Sequence, residues 1–159
     1  MTTFASAAVT DTEQRSTLAR TRALCVVGGA LAAAIAWAVE VPLLGIHLTV
    51  RFGNGRFGPH RLGMARFGAG HVQTISVGQI VGISLAAALL GWLLLTMLER
   101  RTSRARLIWT STALVALAAS LSLPLAAATT TAAAVGLVVM HLTVGAAVIP
   151  AMARTARAR

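Results

Sequence analysis

The sequence predicts an all-α integral membrane protein, folded as a four-transmembrane-helix antiparallel bundle. Hydrophobic residues make up 57% of the 159 residues and charged residues only 11%, which is more apolar surface than a single soluble core of this size buries. The apolar residues fall into four runs, each long enough to cross roughly 30 Å of hydrocarbon as a helix. The arginines stand mainly beside these runs. The lipid bilayer is therefore the expected partner of most of the surface.

The chain divides into a tail, a membrane domain and a second tail. Residues 1–22 lack apolar periodicity, so we expect a disordered cytoplasmic tail there. The membrane domain covers residues 23–153, with spans at about 23–44, 77–98, 107–127 and 132–152, and residues 154–159 form a basic cytoplasmic tail. The first run also resembles a signal peptide, but it continues beyond the small residues at which such a peptide would be cleaved, which favours a retained span.

The distribution of arginines predicts the orientation. Four spans place both termini on one side, together with the link between the second and third spans. That side carries ten of the 14 arginines, and the other four lie in loop 45–76. The positive-inside rule therefore predicts a multi-pass plasma membrane protein with both termini in the cytoplasm. Because topology accounts for most of the arginines, the net charge of +10 does not indicate a nucleic-acid partner.

Small residues spaced four apart predict close packing of the first two spans. The two sets are Gly28, Ala32 and Ala36 on the first span, and Gly78, Gly82 and Ala86 on the second. Such spacing places small residues on one helix face and lets two helix backbones approach closely in lipid. We expect the two spans to pack through these faces, and the face on the second span also offers a contact for a homo-oligomer.

His141 is the ionisable residue that lies nearest the predicted bilayer midplane. A group at that depth is costly and normally faces the bundle interior, where it meets a polar partner. The polar residues at similar depth are Ser111, Ser120 and Thr143, with no carboxylate among them. We expect a histidine that hydrogen-bonds to one of these hydroxyls and joins the third and fourth helices. A ligand or proton site is the alternative.

Glu40 is the acidic residue inside an apolar run, near the outer end of the first span. It either forms an ion pair at headgroup level with a loop arginine such as Arg51, or binds a proton or cation together with His47 or His71. The histidines and Cys25 show no metal-ligand spacing, and the chain contains no catalytic or phosphate-binding motif. We therefore predict no metal, no cofactor and no catalytic residue, and the sequence identifies no small-molecule ligand.

Loop 45–76 contains an Arg-Phe-Gly motif, once Arg-Leu-Gly, that recurs every five residues. The repeats begin at Arg51, Arg56, Arg61 and Arg66. Neither a helix nor a strand has that period, and the many glycines indicate an irregular segment. Arginines beside aromatic residues suit anionic lipid headgroups. A short tandem duplication tolerated in a loop explains the same pattern without a ligand, so both interpretations stay open.

The second half of the chain resembles a known family. The similarity rests on Glu-Arg-Arg (99–101), Leu-Ser-Leu-Pro (121–124) and Met-His-Leu-Thr-Val-Gly-Ala-Ala-Val-Ile-Pro (140–150), followed by Arg154. These segments resemble a family of small actinobacterial four-helix membrane proteins, the domain of unknown function numbered 6069, over roughly residues 23–153. The resemblance implies a plasma membrane protein of four helices and implies no activity. The Arg-Phe-Gly repeat departs from the family pattern.

Three functions are compatible with these features. A structural or accessory role through helix interactions comes first, because the spans carry few polar groups and a non-enzymatic role is favoured. The second is a small transporter or channel subunit, with Glu40 and His141 on one polar path. The third is a membrane-embedded ligand- or quinone-binding protein or enzyme centred on His141, which needs a cavity of about 300 Å³ or more beside the imidazole.

Overall fold

A computed structural model describes residues 3–51 and 72–157, with the backbone alone for residues 3–12 and 15. The helices are α1 (Thr3–Ala38), which continues as a π-helix (Val39–Leu43), α2 (Val77–Arg101), α3 (Ala105–Ser120), α4 (Ser122–Ala127) and α5 (Thr131–Thr155). Two short strands, β1 (Thr49–Arg51) and β2 (Val72–Thr74), lie between α1 and α2.

Within residues 3–51 and 72–157, four helical stretches are long and apolar enough to cross a membrane. They are Ser16–Leu43, Val77–Arg101, Ala105–Ala127 and Thr131–Thr155. Around the bundle, α1 packs against α2 and α5, and α3 packs against the same two helices, so that α1 and α3 lie diagonally opposite. Each of the four spans runs antiparallel to the two spans that it packs against. The predicted all-α bundle of four spans is confirmed.

The two ends of the bundle differ in their contents. At one end, called the terminal end, Arg22 of α1 contacts Glu99 of α2 and Thr155 of α5. At the other, called the loop end, Leu48 just before β1 and Val50 within β1 are buried. Each end has its own apolar core: Val26, Ala88, Leu95, Trp109, Met152 and Ala153 towards the terminal end, and Ala33, Leu48, Val50, Ile80, Leu137 and Met140 towards the loop end.

Local chemistry sets the helix boundaries. A capping box starts α2, where the Ser76 amide donates to Gln79 Oε1 at 3.0 Å and the Gln79 amide donates to Ser76 Oγ at 3.4 Å. Thr130 caps α5 by accepting from the Ala133 amide at 3.1 Å. The third span breaks at Leu121 because Pro124 has no N–H to donate to the carbonyl four residues earlier. That span therefore consists of α3 and α4.

The first helix starts earlier than the sequence suggested. We expected a disordered tail up to residue 22, whereas α1 already begins at Thr3. Residues 3–22 contain neither glycine nor proline, so they contain no strong helix breaker even though their sequence lacks apolar periodicity. The Thr21 hydroxyl donates to the Thr17 carbonyl at 2.9 Å. Arg22, at the end of the expected tail, is buried in the bundle.

The ends of the long loop pack onto the turn between α4 and α5. Strands β1 and β2 pair antiparallel, with Thr49 opposite Thr74. The Thr129 amide donates to the Thr49 carbonyl at 3.1 Å, and the hydroxyls of Thr49 and Thr129 are hydrogen-bonded to each other. The expected irregular loop thus has an ordered base. Arg51 ends β1 with an exposed side chain, while Arg56, Arg61 and Arg66 lie outside the described residues.

Candidate functional site

The guanidinium of Arg22 joins three helices at the terminal end. Its side chain is only 4% exposed. The bonds run from Nη2 to Glu99 Oε1 (2.6 Å), from Nη2 to the Thr155 carbonyl (2.9 Å), from Nε to Thr155 Oγ1 (3.1 Å) and from Nη1 to Thr96 Oγ1 (3.4 Å). We call these four residues the Arg22 clamp. It ties α1 to α2 and α5 at the point where the apolar run of α1 begins.

Glu99 is shared between the clamp and the end of α5. Its side chain is 14% exposed, and Oε1 accepts both from Arg22 and from the Arg157 amide, the latter at 2.8 Å. The carboxylate therefore also holds the chain just after α5 ends at Thr155. Because the charges of the clamp are paired and hydrogen-bonded to neighbouring helices, the cluster is suited to holding the bundle together rather than to binding a ligand.

His141 does not meet the hydroxyls that the sequence suggested as partners. The imidazole is half-buried, and its Nδ1 donates to the Leu137 carbonyl of the same helix at 2.6 Å. Ser120 donates to the Leu117 carbonyl at 2.7 Å and Thr143 to the Val139 carbonyl at 2.8 Å, while Ser111 is exposed. Each of the bonded hydroxyls is satisfied by a carbonyl three or four residues earlier, the usual arrangement for hydroxyls in apolar helices.

Glu40 lies in the π-helix at the loop end and is 5% exposed. Neither carboxylate oxygen has a hydrogen-bond partner within the described residues. The side chain rests on α5 at Gly136, where a Cβ atom would lie 3.2 Å from Glu40 Oε2. Glycine at that position therefore leaves room for the carboxylate.

Backbone chemistry explains why the helix widens around Glu40. Pro42 lies inside the turn and cannot donate to the carbonyl four residues earlier, so the helix loosens there. The Leu44 amide then donates to the Val39 carbonyl at 3.0 Å, the five-residue spacing of a π-helix. Single π turns of this kind occur frequently at functional sites.

The residues that the sequence paired with Glu40 lie elsewhere. Arg51 and His47 are exposed, and among the described residues neither bonds to the carboxylate. His71 lies outside the described residues. The described ranges contain no group of three or more His, Cys, Asp or Glu side chains that could hold a metal ion.

The small-residue faces of the first two spans do not meet. No atom of the described residues lies within 4 Å of where a Cβ would stand at Gly28, Gly78 or Gly82. The other members of the two sets are Ala86, which is exposed, and Ala32 and Ala36, which are half-buried. The helices α1 and α2 do pack together, as expected, but through other residues.

Different glycines occupy the close contacts between helices. A Cβ at Gly29 of α1 would lie 2.5 Å from Val148 Cγ2 of α5, and one at Gly145 of α5 would lie 2.7 Å from Leu117 Cδ2 of α3. The spacing pattern in the sequence identified the right residue type, but it did not identify the face that carries the contact.

A family model described as a family of unknown function, DUF6069, matches residues 13–158. The match covers almost the whole chain, including all four candidate spans, and it confirms the resemblance seen in the sequence. No curated protein matches the chain, and no solved structure matches it. The description assigns no activity.

Proposed function

We propose that this chain, which belongs to the DUF6069 family with no assigned activity, is a small accessory membrane protein. In this role it associates with further membrane helices, in the first instance with a second copy of itself. The contact is the small-residue face of α2, formed by Gly78, Gly82 and Ala86. The supporting observation is that no described residue covers this face at Gly78 or Gly82.

The α2 face has the shape that a partner helix needs. A glycine inside a helix costs roughly 1 kcal/mol relative to alanine, and among the described residues no atom lies close enough to the Cα of Gly82 to require a glycine there. Exposed Ile83 and Leu90 stand beside the face, at 69% and 65% exposure. A second helix laid on the glycines gains backbone-to-backbone packing that lipid tails do not supply.

The remaining polar groups also favour an accessory role over catalysis. The hydroxyls of Ser120 and Thr143 and the imidazole of His141 bond to carbonyls of their own helices.

A twofold axis perpendicular to the membrane brings the same face of two copies together and keeps both in one orientation. The proposed association therefore needs no residue beyond the α2 face.

Gly82→Ile tests this proposal. A bulky side chain in a close helix contact costs about 1–3 kcal/mol, so we expect self-association to weaken at least about fivefold. The measurement is energy transfer between donor- and acceptor-labelled copies of the full chain reconstituted in liposomes, at several protein-to-lipid ratios.

Ala87→Ile is the matched control, because Ala87 is equally exposed on α2 but lies about 100° around the helix from Ala86. This control should associate like the parent chain. Parent-chain energy transfer no higher than random mixing predicts, or an equal loss in both variants, would rule out the α2 face as the contact.

A second candidate function is supported by Glu40. A buried carboxylate without a hydrogen-bond partner is costly, and an ionisable residue in a membrane span commonly marks an ion or proton path. It lies in a π-helix near the loop end, and π turns occur frequently at functional sites. In this role the protein is a small transporter or channel subunit in which Glu40 takes up a proton or a small cation.

Glu40→Gln tests the transport role, because the amide keeps the shape but cannot carry the charge. Proteoliposomes with a trapped pH-sensitive dye and an imposed membrane potential report proton entry. We expect the variant to lose roughly nine-tenths of the flux, since the titrating group is removed. Glu13→Gln, at an exposed position of α1, should keep the parent rate. Undiminished flux in Glu40→Gln, or a parent rate equal to that of empty liposomes, would eliminate proton transport through Glu40.

A further inference from the structure

A basic groove lies at the terminal end, between the start of α3 and the end of α5. It has a volume of about 550 Å³, within the range of small-molecule sites. Its lining consists of Ser103, Arg104, Arg106, Leu107 and Thr110 on the α3 side and Ala153, Ala156 and Arg157 on the α5 side. Three of the eight lining residues are arginines and none is acidic, so the groove suits an anion.

The start of α3 adds to the positive potential of the groove. Ser76 and Thr130 cap α2 and α5 with their side chains, whereas Arg104 at the N-cap of α3 makes no side-chain capping bond. The first amides of a helix carry partial positive charge and bind phosphate readily. These amides lie beside the guanidinium groups of the groove.

Glu99, which contacts the backbone of Arg157, is already engaged. It accepts from Arg22 and from the backbone amide of Arg157, and among the described side chains no carboxylate pairs with the Arg157 guanidinium. That guanidinium makes one long bond, from Nη2 to the Gln14 carbonyl at 3.4 Å, which leaves Nη1 and Nε for a ligand. An anion in the groove therefore does not compete with the Arg22 clamp.

The remaining lining indicates which anion fits. Leu107, Ala153 and Ala156 form an apolar wall, and the groove lies where two candidate spans end. A free phosphate gains nothing from an apolar wall, whereas a phospholipid places its phosphate at the edge of the hydrocarbon and its acyl chains beyond. Basic pockets between membrane helices bind anionic lipid headgroups in this way.

We propose that this groove is a binding site for one anionic phospholipid. The phosphodiester lies between Arg104, Arg106 and Arg157, and the acyl chains run along Leu107. The site is separate from loop 45–76 and from the α2 face, so it does not depend on the proposed accessory function.

Binding of dioleoyl-phosphatidylglycerol to the full chain in detergent, measured by native mass spectrometry, tests the site. An arginine near an anionic lipid surface contributes about 1 kcal/mol. The double variant Arg104→Gln/Arg106→Gln should therefore bind about thirtyfold more weakly, and Arg157→Gln should also weaken binding. Dioleoyl-phosphatidylcholine, which has no net charge, should bind weakly to all forms.

Arg100→Gln/Arg101→Gln is the matched control. It removes the same charge from exposed positions at the end of α2 that do not line the groove, so screening should keep the change in its Kd within about threefold. An equal loss in both double variants would show general charge attraction and overturn the site. Full competition by inorganic phosphate at millimolar concentration would overturn the lipid as its occupant.

Discussion

Arg22→Gln is expected to lower the free energy of unfolding by about 3–5 kcal/mol, the usual cost of removing one partner of a buried ion pair. The substitution leaves the Glu99 carboxylate, 14% exposed, with the Arg157 amide as its one partner among the described residues. It also removes the bonds to Thr96 and Thr155 that join α2 and α5 to α1. Unfolding of the detergent-solubilised chain by increasing SDS, followed by circular dichroism, measures the loss.

Arg20→Gln is the control for this prediction, because Arg20 is exposed two residues earlier on α1. A surface substitution of that kind should stay within about 0.5 kcal/mol of the parent. The combination of Arg22→Gln with Glu99→Gln should cost less than the two single losses added together, because the residues share one bond. Strict additivity, or equal losses for Arg20 and Arg22, would contradict the clamp.

Hydropathy was sufficient to predict the four spans. A run of about 20 apolar residues has to form a helix in lipid, since every backbone group must be bonded within the segment. This constraint is local, and so the spans could be identified one at a time. The division of the third span at Pro124 is a similarly local effect of a residue without an N–H.

The Arg22 clamp could not be predicted from any one segment of the sequence considered alone. In the sequence, Arg22 looks like one more arginine that sets topology, and its partners lie 77 and 133 positions away along the chain. A signal was nevertheless present, because antiparallel first and second spans bring the start of one beside the end of the other. Glu99 at the end of α2 is thus a natural partner for an arginine at the start of the first span.

The candidate sites were harder to predict because they depend on helix rotation. We expected His141 near the bilayer midplane, but depth along a span does not determine which groups surround the imidazole. Glu40 was noticed as an isolated acid, whereas its burial depends on the π turn and on Gly136 of a helix almost 100 residues away. A sequence shows which residues share one helix face, but the face that meets a neighbour is decided by the packing of the whole bundle.

Two adjacent glycines on α1 show the consequence of helix rotation most directly. A Cβ at Gly29 would stand 2.5 Å from Val148 Cγ2, whereas one at Gly28 would meet nothing within 4 Å. Valine is stiff at χ1 in a helix, so Val148 cannot easily rotate away from an added methyl group. The same substitution at the two positions should therefore have opposite effects on stability.

We expect Gly29→Ala to destabilise the bundle by about 2–3 kcal/mol, because α1 and α5 must separate or Val148 must leave its rotamer. Gly28→Ala should leave stability unchanged or raise it by up to about 1 kcal/mol, the gain in helix propensity. SDS unfolding curves of the two variants, measured side by side, provide the comparison.

Val148→Ala in the Gly29→Ala background should restore most of the loss, since it removes the atom that the new methyl group meets. Similar curves for the two glycine variants would mean that α1 and α5 do not pack through Gly29, and the assignment of the interface would have to be revised.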